Sequence, residues 1–396
     1  MAAPPDDLEI RPLRPGDDPE AQLDLVERAF GSIPAAQRDR QLQSLSWHMA
    51  TGRSLGAFDG RQPAAGASFH DMLQWWHGRP VPMAGVAVVM VAPEYRGRGV
   101  GGRLMTAVLD EIAARGYPLS ALFPATMPLY RSLGWELAGA RDTVIIPARS
   151  LRGLAAPDAA VSGPDAGPDP VLRRAGPADA DAVIALLGRV IGPDLYAYLA
   201  EDGFLAYQGH HGNRDLYVER AEAASGRTVR AFWAHLGSYA STAEKVYART
   251  GPASALWWLT RERDIGIERR SRWMLRVVDA AAAIAARGYP AEVSVRVRVR
   301  IADGARPANS GRWQLTVAGG AGTLERLGPD ASGSPAGPAG LGSTALALGA
   351  RGLASLYAGT PLVTLRQAGL VAGGTPADDA ALDAAFAATP YMLDAF

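Results

Sequence analysis

Three arginines and four glycines stand within eight positions, from Arg96 to Arg103 (RGRGVGGR), and no other stretch of the chain concentrates charge and backbone freedom in this way. Arginine supplies positive charge. Glycine lets a ligand approach the main chain closely. Together they suit an anion, a phosphate or pyrophosphate. The flanking residues are consistent with that chemistry. Val86 to Val91 is a short apolar run rich in valine, which reads as a buried strand, and Pro93 stops its ladder. Leu104, Met105, Val108, Leu109 and Ile112 then recur at helical spacing until Gly116 closes the helix. The first turn of a helix leaves backbone N–H groups unpaired and partly positive, so Gly97, Gly99, Gly101 and Gly102 would let a phosphate reach them, with Arg96, Arg98 and Arg103 adding charge. No Gly-Lys-Ser/Thr follows, which excludes the P-loop. The dinucleotide fingerprint, which needs an acid about 20 residues beyond its glycines, is not met either.

The run Arg96-Gly97-Arg98-Gly99-Val100-Gly101 resembles the acetyl-coenzyme A signature of GCN5-related N-acetyltransferases, Arg/Gln-x-x-Gly-x-Gly/Ala. Further on, Pro124 to Trp135 resembles that family's next landmark, a short helix carrying a tyrosine ahead of a Leu-Gly-Trp turn, here Tyr130 and Leu133-Gly134-Trp135. The resemblance places the Tyr130 phenol beside the coenzyme sulfur. A tyrosine suits that place. The leaving thiolate belongs to a thiol of pKa about 8.5, whereas a phenol near about 10 stays protonated at neutral pH and can donate. The resemblance also implies pantetheine contacts along the backbone of Val89, Met90 and Val91, pyrophosphate contacts from Gly97 through Gly102, and Ala125 and Thr126 flanking the pantetheine on its far side.

The elements needed to position these groups follow in order. Leu8 to Pro12 reads as a strand, and Pro19 to Phe30 and Ala35 to Trp47 as helices. Ser54 to Phe58 and Ala64 to Met72 read as strands around the hairpin dipeptide Asp59-Gly60. After the signature helix, Tyr117 to Phe123 reads as a strand. Residues 151–170 are rich in Ala, Pro, Gly and Asp and read as a linker. Val171 to Asp179 then repeats the character of Ile10 to Asp17, with a helix predicted at Ala180 to Val190, so a duplicated unit is expected. In that second unit Leu216 to Glu219 and Arg227 to Ala234 read as strands and Ser241 to Thr250 as a helix. No Arg-x-x-Gly-x-Gly turn precedes that helix, so coenzyme binding is not expected there. Leu275 to Arg287 reads as a helix. Glu292 to Ile301 alternates Val293, Val295, Val297 and Val299 with Ser294, Arg296, Arg298 and Arg300, a half-buried antiparallel strand. Arg312 to Ala318 and Ala321 to Arg326 continue a meander, Leu341 to Leu348 and Leu353 to Tyr357 follow, and Asp378 to Phe386 forms a last helix.

Composition narrows the function. At 396 residues the chain exceeds one ordinary core, and 48% apolar with 20% charged residues is globular. The formal net charge is zero, which gives no bulk electrostatic case for nucleic acid. There is no cysteine, which excludes disulfides, thiolate zinc sites and an acetyl-cysteine intermediate. The six histidines show no metal-site spacing. No apolar run approaches the roughly 18 residues of a membrane span, and the N-terminus has no signal core, so a soluble cytoplasmic protein is expected.

The whole chain resembles the enhanced intracellular survival (Eis-like) acetyltransferases of actinobacteria. That resemblance implies an α/β (α+β) architecture of tandem GCN5-related folds, the second degenerate, followed by a sterol carrier protein-like domain, with boundaries expected at 1–150, 151–285 and 286–396. It implies a homohexamer, acetyl-coenzyme A as cosubstrate, no metal, and direct acetyl transfer to an amine of a small molecule (aminoglycoside-like, polyamine or arylalkylamine) or a lysine. It also implies that the C-terminal carboxylate, here on Phe396, serves as base. Asp24, Glu27 and Asp394 are candidate acids for an acceptor mouth. Ser32 and Ala395 stand where acids would be expected for a polycationic acceptor, so a less charged amine is favoured. A coenzyme-binding regulatory or scaffold protein without turnover is the competing class, and lipid carriage by the last domain a minor one.

Overall fold

A computed structural model describes residues 8–154, 170–180, 195–209, 214–261, 263–328 and 345–394. In chain order the elements are β1 (Glu9–Pro12), α1 (Pro19–Phe30), α2 (Ala35–Thr51), β2 (Ser54–Asp59), β3 (Gln62–Trp76), β4 (Arg79–Val91), α3 (Val100–Ala114), β5 (Leu119–Leu122), α4 (Met127–Ser132) and β6 (Glu136–Pro147). Then come β7 (Arg173–Arg174), β8 (Leu195–Ala200), β9 (Gly203–Gly209), β10 (Asp215–Ala223), α5 (Gly226–Gly237), β11 (Lys245–Thr250), α6 (Leu256–Leu259), β12 (Gly266–Val277) and α7 (Ala280–Ala286). The chain continues through β13 (Val295–Ala302), β14 (Gly311–Ala318), β15 (Ala321–Arg326), β16 (Leu346–Gly349), α8 (Ala350–Tyr357), α9 (Leu362–Gln367), β17 (Val371–Ala372) and α10 (Pro376–Phe386).

Two compact units result, one from Met1–Ala138 with Arg272–Ala388 and one from Gly139–Ser271 with the tail segment Thr389–Ala395. In the first unit the strands run in the order β1-β2-β3-β4-β5-β12, antiparallel except for the parallel pair β4 and β5. Helix α3 makes the crossover between those two parallel strands, as a parallel pair requires. Its apolar stripe of Val100, Leu104, Met105, Val108, Leu109 and Ile112 is fully buried against the sheet, with Phe69, Val86 and Trp135. The same unit carries a five-stranded sheet, β15-β14-β13-β16-β17. On β13 the predicted alternation is present: Val295, Val297, Val299 and Ile301 are buried while Arg296 and Arg298 are exposed.

The second unit repeats the motif as β6-β11-β10-β9-β8-β7, with α5 crossing between the parallel strands β10 and β11. Three assignments made from sequence are corrected here. Arg227 to Ala234 lies in the helix α5. Ser225 caps it by accepting from the Thr228 N–H, and Phe232, Trp233 and Leu236 fall on its buried face. Its β-branched and aromatic residues obey a 3.6 period, which outweighs their strand propensity. Ser241 to Thr250 is chiefly the strand β11, where Val246, Ala248 and Thr250 are buried at a period of two. Leu275 to Val277 ends β12, and the following helix starts only after Asp279, whose side chain accepts from the Ala282 N–H. The expected helix at Ala180 to Val190 lies, beyond its first residue, outside the described residues.

Candidate active site

Strand β4 carries an extra residue. Ala87 faces Ser68 on β3 and Met90 faces Gly66, so three steps on β4 meet two on β3. Val88 absorbs the difference as a bulge with φ of 52°, a left-handed conformation that a β-branched residue adopts only under constraint. The consequence lies on the other side of β4. Its pairing with β5 covers Met83↔Leu119 through Val86↔Leu122 and stops there. Beyond the bulge, Met90 and Val91 still pair with Gly66 and Ala65 on β3, but Val89, Met90 and Val91 have no partner in β5, which ends at Leu122. Nothing in the local sequence announces the bulge, since valine is the least expected residue at such a φ.

Strand β4 leads into the glycine turn. A short 3₁₀ turn, Pro93–Tyr95, follows β4, and Arg96 then donates through Nε to the Val91 carbonyl at 3.1 Å, pinning the turn to the strand end. Gly97 and Gly99 adopt φ of 73° and 79°, which explains glycine at both. Gly99 is the N-cap of α3, and no side chain caps the N–H groups that follow it. A side chain at Gly102 would meet nothing within 4 Å, whereas one at Gly101 would meet Val91 at 3.4 Å and Leu129 at 3.7 Å. Gly101 therefore faces the wall, and Gly102 faces open space at the positive end of the helix. This combination of uncapped amides, open space and a free strand edge fits the diphosphate and the amide-bearing arm of a coenzyme A. Arg98 lies over the Tyr95 ring at 5.9 Å, and Arg103 reaches the Leu8 carbonyl at 3.5 Å. Charge at the turn thus comes chiefly from the exposed Arg96 and Arg98.

Leu129 links the turn to the tyrosine. It belongs to α4, so its contact with Gly101 seats that helix against the start of α3. Tyr130 follows, 4% exposed and packed edge-on to Trp135 with ring centroids 6.5 Å apart. Burial pushes its phenol above the ordinary tyrosine value, because the low-dielectric surroundings penalise phenolate. Ala125 and Thr126 are exposed at the entry to α4, and the Thr126 side chain makes no capping bond there. The structure thus brings Val89 to Val91, Gly97 to Gly102, Leu129 and Tyr130 into one neighbourhood. Phe396 lies outside the described residues.

The candidate acids are occupied. Arg28 holds Asp24 at 2.9 Å and Glu94 at 2.7 Å, Arg38 reaches Glu27 at 3.4 Å, and Glu27 also accepts from the Ile33 N–H at 3.1 Å. Asp394 pairs with Arg220. Phe30, at the end of α1, is 59% exposed. Among the described residues no group of three or more His, Asp or Glu could hold a metal ion, and no helix is long and apolar enough to cross a membrane.

The chain is similar to known proteins over most of its length. Residues 9–138 and 189–277 match acetyltransferase (GNAT) domains, and residues 280–393 match a sterol carrier protein domain. An uncharacterized N-acetyltransferase of Streptomyces avermitilis is 29% identical over 92% of this chain and 93% of its own. Another, of Streptomyces coelicolor, is 30% identical over 73% of this chain and 78% of its own. The crystal structure of a GCN5-related N-acetyltransferase from Kribbella flavida is 40% identical, covers 98% of each chain and superposes with a TM-score of 0.84. Eis1 from Mycobacterium abscessus shares the fold at 23% identity, with 98% of this chain and 100% of that one covered and a TM-score of 0.77.

Proposed function

The chain belongs to the GCN5-related N-acetyltransferase family, with two acetyltransferase folds in tandem and a sterol carrier fold after them, and from that premise we propose that its first unit passes an acetyl group directly from acetyl-coenzyme A to an amine. The observation that carries the reading is that β4 runs on past its last pair with β5, Val86↔Leu122, through the Val88 bulge to the glycine turn. Acetyl-coenzyme A, when bound, supplies an activated thioester. The main chain of Val89, Met90 and Val91 would pair with its amide-bearing arm. The amides from Gly97 to Gly102 would hold its diphosphate, with Arg96 and Arg98 adding charge and Ala125 and Thr126 bordering the far side. Tyr130 would protonate the departing sulfur, and burial favours this by keeping the phenol neutral. An acetyltransferase of this kind also needs a base to take the proton of the attacking amine. By family resemblance that base is the carboxylate of Phe396, and by the same resemblance the assembly is a homohexamer.

The acceptor in this proposal is an amine of low charge. Asp24 and Glu27 already face arginines, so a polycation entering near α1 would have to compete with guanidinium groups, whereas the exposed Phe30 offers an apolar surface. The test is a thiol-release assay with acetyl-coenzyme A against arylalkylamines, polyamines, aminoglycosides and lysine peptides, run beside Tyr130→Phe. Turnover greatest with the arylalkylamines, and lowered at least tenfold in kcat by Tyr130→Phe with acetyl-coenzyme A affinity unchanged, is expected. Preference for aminoglycosides would overturn the acceptor class, and a wild-type rate in Tyr130→Phe would remove the acid role.

A further inference from the structure

Helix α4 is six residues long, too short to hold its shape alone in water, so what fixes Tyr130 must come largely from outside it. Part of the hold is local. The Tyr130 carbonyl accepts from the Leu133 and Trp135 N–H groups, each at 3.1 Å. The turn between those residues has its own support. Gly134 adopts φ of 92°, and a side chain there would stand 2.7 Å from the Ala350 methyl and 3.0 Å from the Arg276 guanidinium. Arg276 is fully buried and pairs with Asp303 at 2.6 Å, and Asp303 also accepts from the Asn309 amide at 3.0 Å. Asp303, Asn309 and Ala350 all fall in the stretch that matches a sterol carrier domain, and all belong to the same compact unit as Tyr130.

Charge repeats this tie one residue further on. Glu136 opens β6, and its two carboxylate oxygens have different partners. Oε1 accepts from Arg131 Nε at 3.1 Å, from Arg131 Nη2 at 2.8 Å and from the Leu137 N–H at 2.9 Å. Oε2 accepts from Arg351, which reaches it with Nε and Nη2, each at 2.6 Å, and no other described residue donates to it. The Glu136 side chain is only 4% exposed, so water is a poor substitute for that guanidinium. A buried carboxylate oxygen that loses its donor is penalised, and the carboxylate turns toward whatever donor remains. Arg131 is held by the same carboxylate and would shift with it. Arg131 adjoins Tyr130, whose phenol has to point at a departing sulfur. Misplacing such a group by about 1 Å costs up to about 100-fold in rate.

We infer that Arg351 is a positioning residue for the acetyl transfer: through Glu136 and Arg131 it fixes α4, and with it the Tyr130 phenol, so that the sterol carrier fold serves as the mount of the acid. This gives the last fold a part in the reaction that needs no ligand of its own. The inference rests on the reading of Tyr130 as the acid.

The experiment uses the full chain and two readouts. Hydrogen exchange followed by mass spectrometry over residues 127–137 reports how firmly α4 is held, without reference to turnover. Steady-state kinetics with acetyl-coenzyme A and the fastest acceptor among arylalkylamines, polyamines, aminoglycosides and lysine peptides report kcat and KM. Arg351→Gln, on a partly exposed side chain, should speed exchange across α4 about tenfold while exchange in α3 stays as in wild type. It should lower kcat about tenfold with KM for acetyl-coenzyme A within about twofold. Arg351→Lys, whose ammonium can still reach Oε2, should recover most of both. In a Tyr130→Phe background Arg351→Gln should lower kcat further by no more than about twofold, because groups that act through one another are not additive. An equal fall in both backgrounds would overturn the inference, since Arg351 would then act elsewhere. Faster exchange with unchanged kcat would also overturn it, leaving the tie to stability alone, and so would unchanged exchange. A slow Tyr130→Phe beside a wild-type Arg351→Gln removes the mount and keeps the acid. A wild-type rate in Tyr130→Phe removes the acid and the mount's purpose with it, and silence with all four amine classes overturns the acetyl-transfer reading and this inference together.

Discussion

Arg351 donates to the carboxylate of Glu136 across 2.6 Å, although the two residues stand 215 positions apart. Glu136 is buried, and it also accepts from Arg131 at 2.8 and 3.1 Å and from the Leu137 N–H at 2.9 Å. Arg131 is the neighbour of Tyr130 on α4, so one carboxylate ties the tyrosine helix to α8 of the same unit. Its hydrogen bonds outweigh its desolvation and hold its pKa below the ordinary glutamate value.

Glu136→Gln should therefore destabilise the chain at neutral pH by about 1–3 kcal/mol, the arginines being partly exposed. A carboxylate depressed in the folded state contributes stability above its unfolded pKa of about 4.3 and loses that contribution as pH falls through the folded value. The stability gap between wild type and variant should accordingly close as pH falls below the unfolded value of about 4.3. Denaturant melts across that range check it; a gap that persists undiminished in acid would remove the ionised carboxylate from the explanation.

At Gly102 fold and function should move in opposite directions. The residue lies in the first turn of α3, where alanine is favoured over glycine by up to about 1 kcal/mol, and a Cβ there meets nothing. Gly102→Ala should raise Tm slightly yet weaken acetyl-coenzyme A several-fold by filling the space before the helix. Calorimetric affinity equal to wild type would show that the diphosphate does not sit there.

Val88 offers a test of strain. A valine at φ of 52° stores about 1–3 kcal/mol. Val88→Gly relieves it, so the usual cost of glycine in a strand should vanish and Tm should hold or rise. A drop of the size normally seen for valine to glycine would mean that the bulge is unstrained. If the coenzyme's arm is bound by the strand held in register by this bulge, acetyl-coenzyme A affinity should fall in the same variant.

Arg287 is a second long-range anchor. It is fully buried, and it donates to the Tyr357 carbonyl at 2.5 Å and the Phe386 carbonyl at 3.0 Å, the last residues of α8 and α10. Trp76, Tyr357, Phe386 and Tyr289 surround its guanidinium at 4.5 to 5.6 Å. One cation thus caps two helix C-termini inside an aromatic cage. Arg287→Lys should cost about 3–5 kcal/mol, because an ammonium cannot serve both carbonyls and stack on the rings. A thermal melt within two degrees of wild type would refute the double-cap account.

The strand, turn and helix from Val86 to Gly116 were legible in the sequence, as were Tyr130 and its short helix, because apolar period, proline stops and left-handed glycines act over a few residues and need no partner. The same local rules misread Arg227 to Ala234, where burial on one face of a helix overrides the preference of valine, phenylalanine and tryptophan for strands. What only the tertiary structure decided is everything that depends on a distant partner. Val88 accepts its φ because β3 dictates the register. Val89 to Val91 are unpaired on the β5 side because β5 ends at Leu122. Asp24 and Glu27 lose their availability to Arg28 and Arg38. Glu136, Arg287 and the tail at Asp394 each take their meaning from residues far along the chain, since a charge is tolerated in an interior only when packing brings its partners to it.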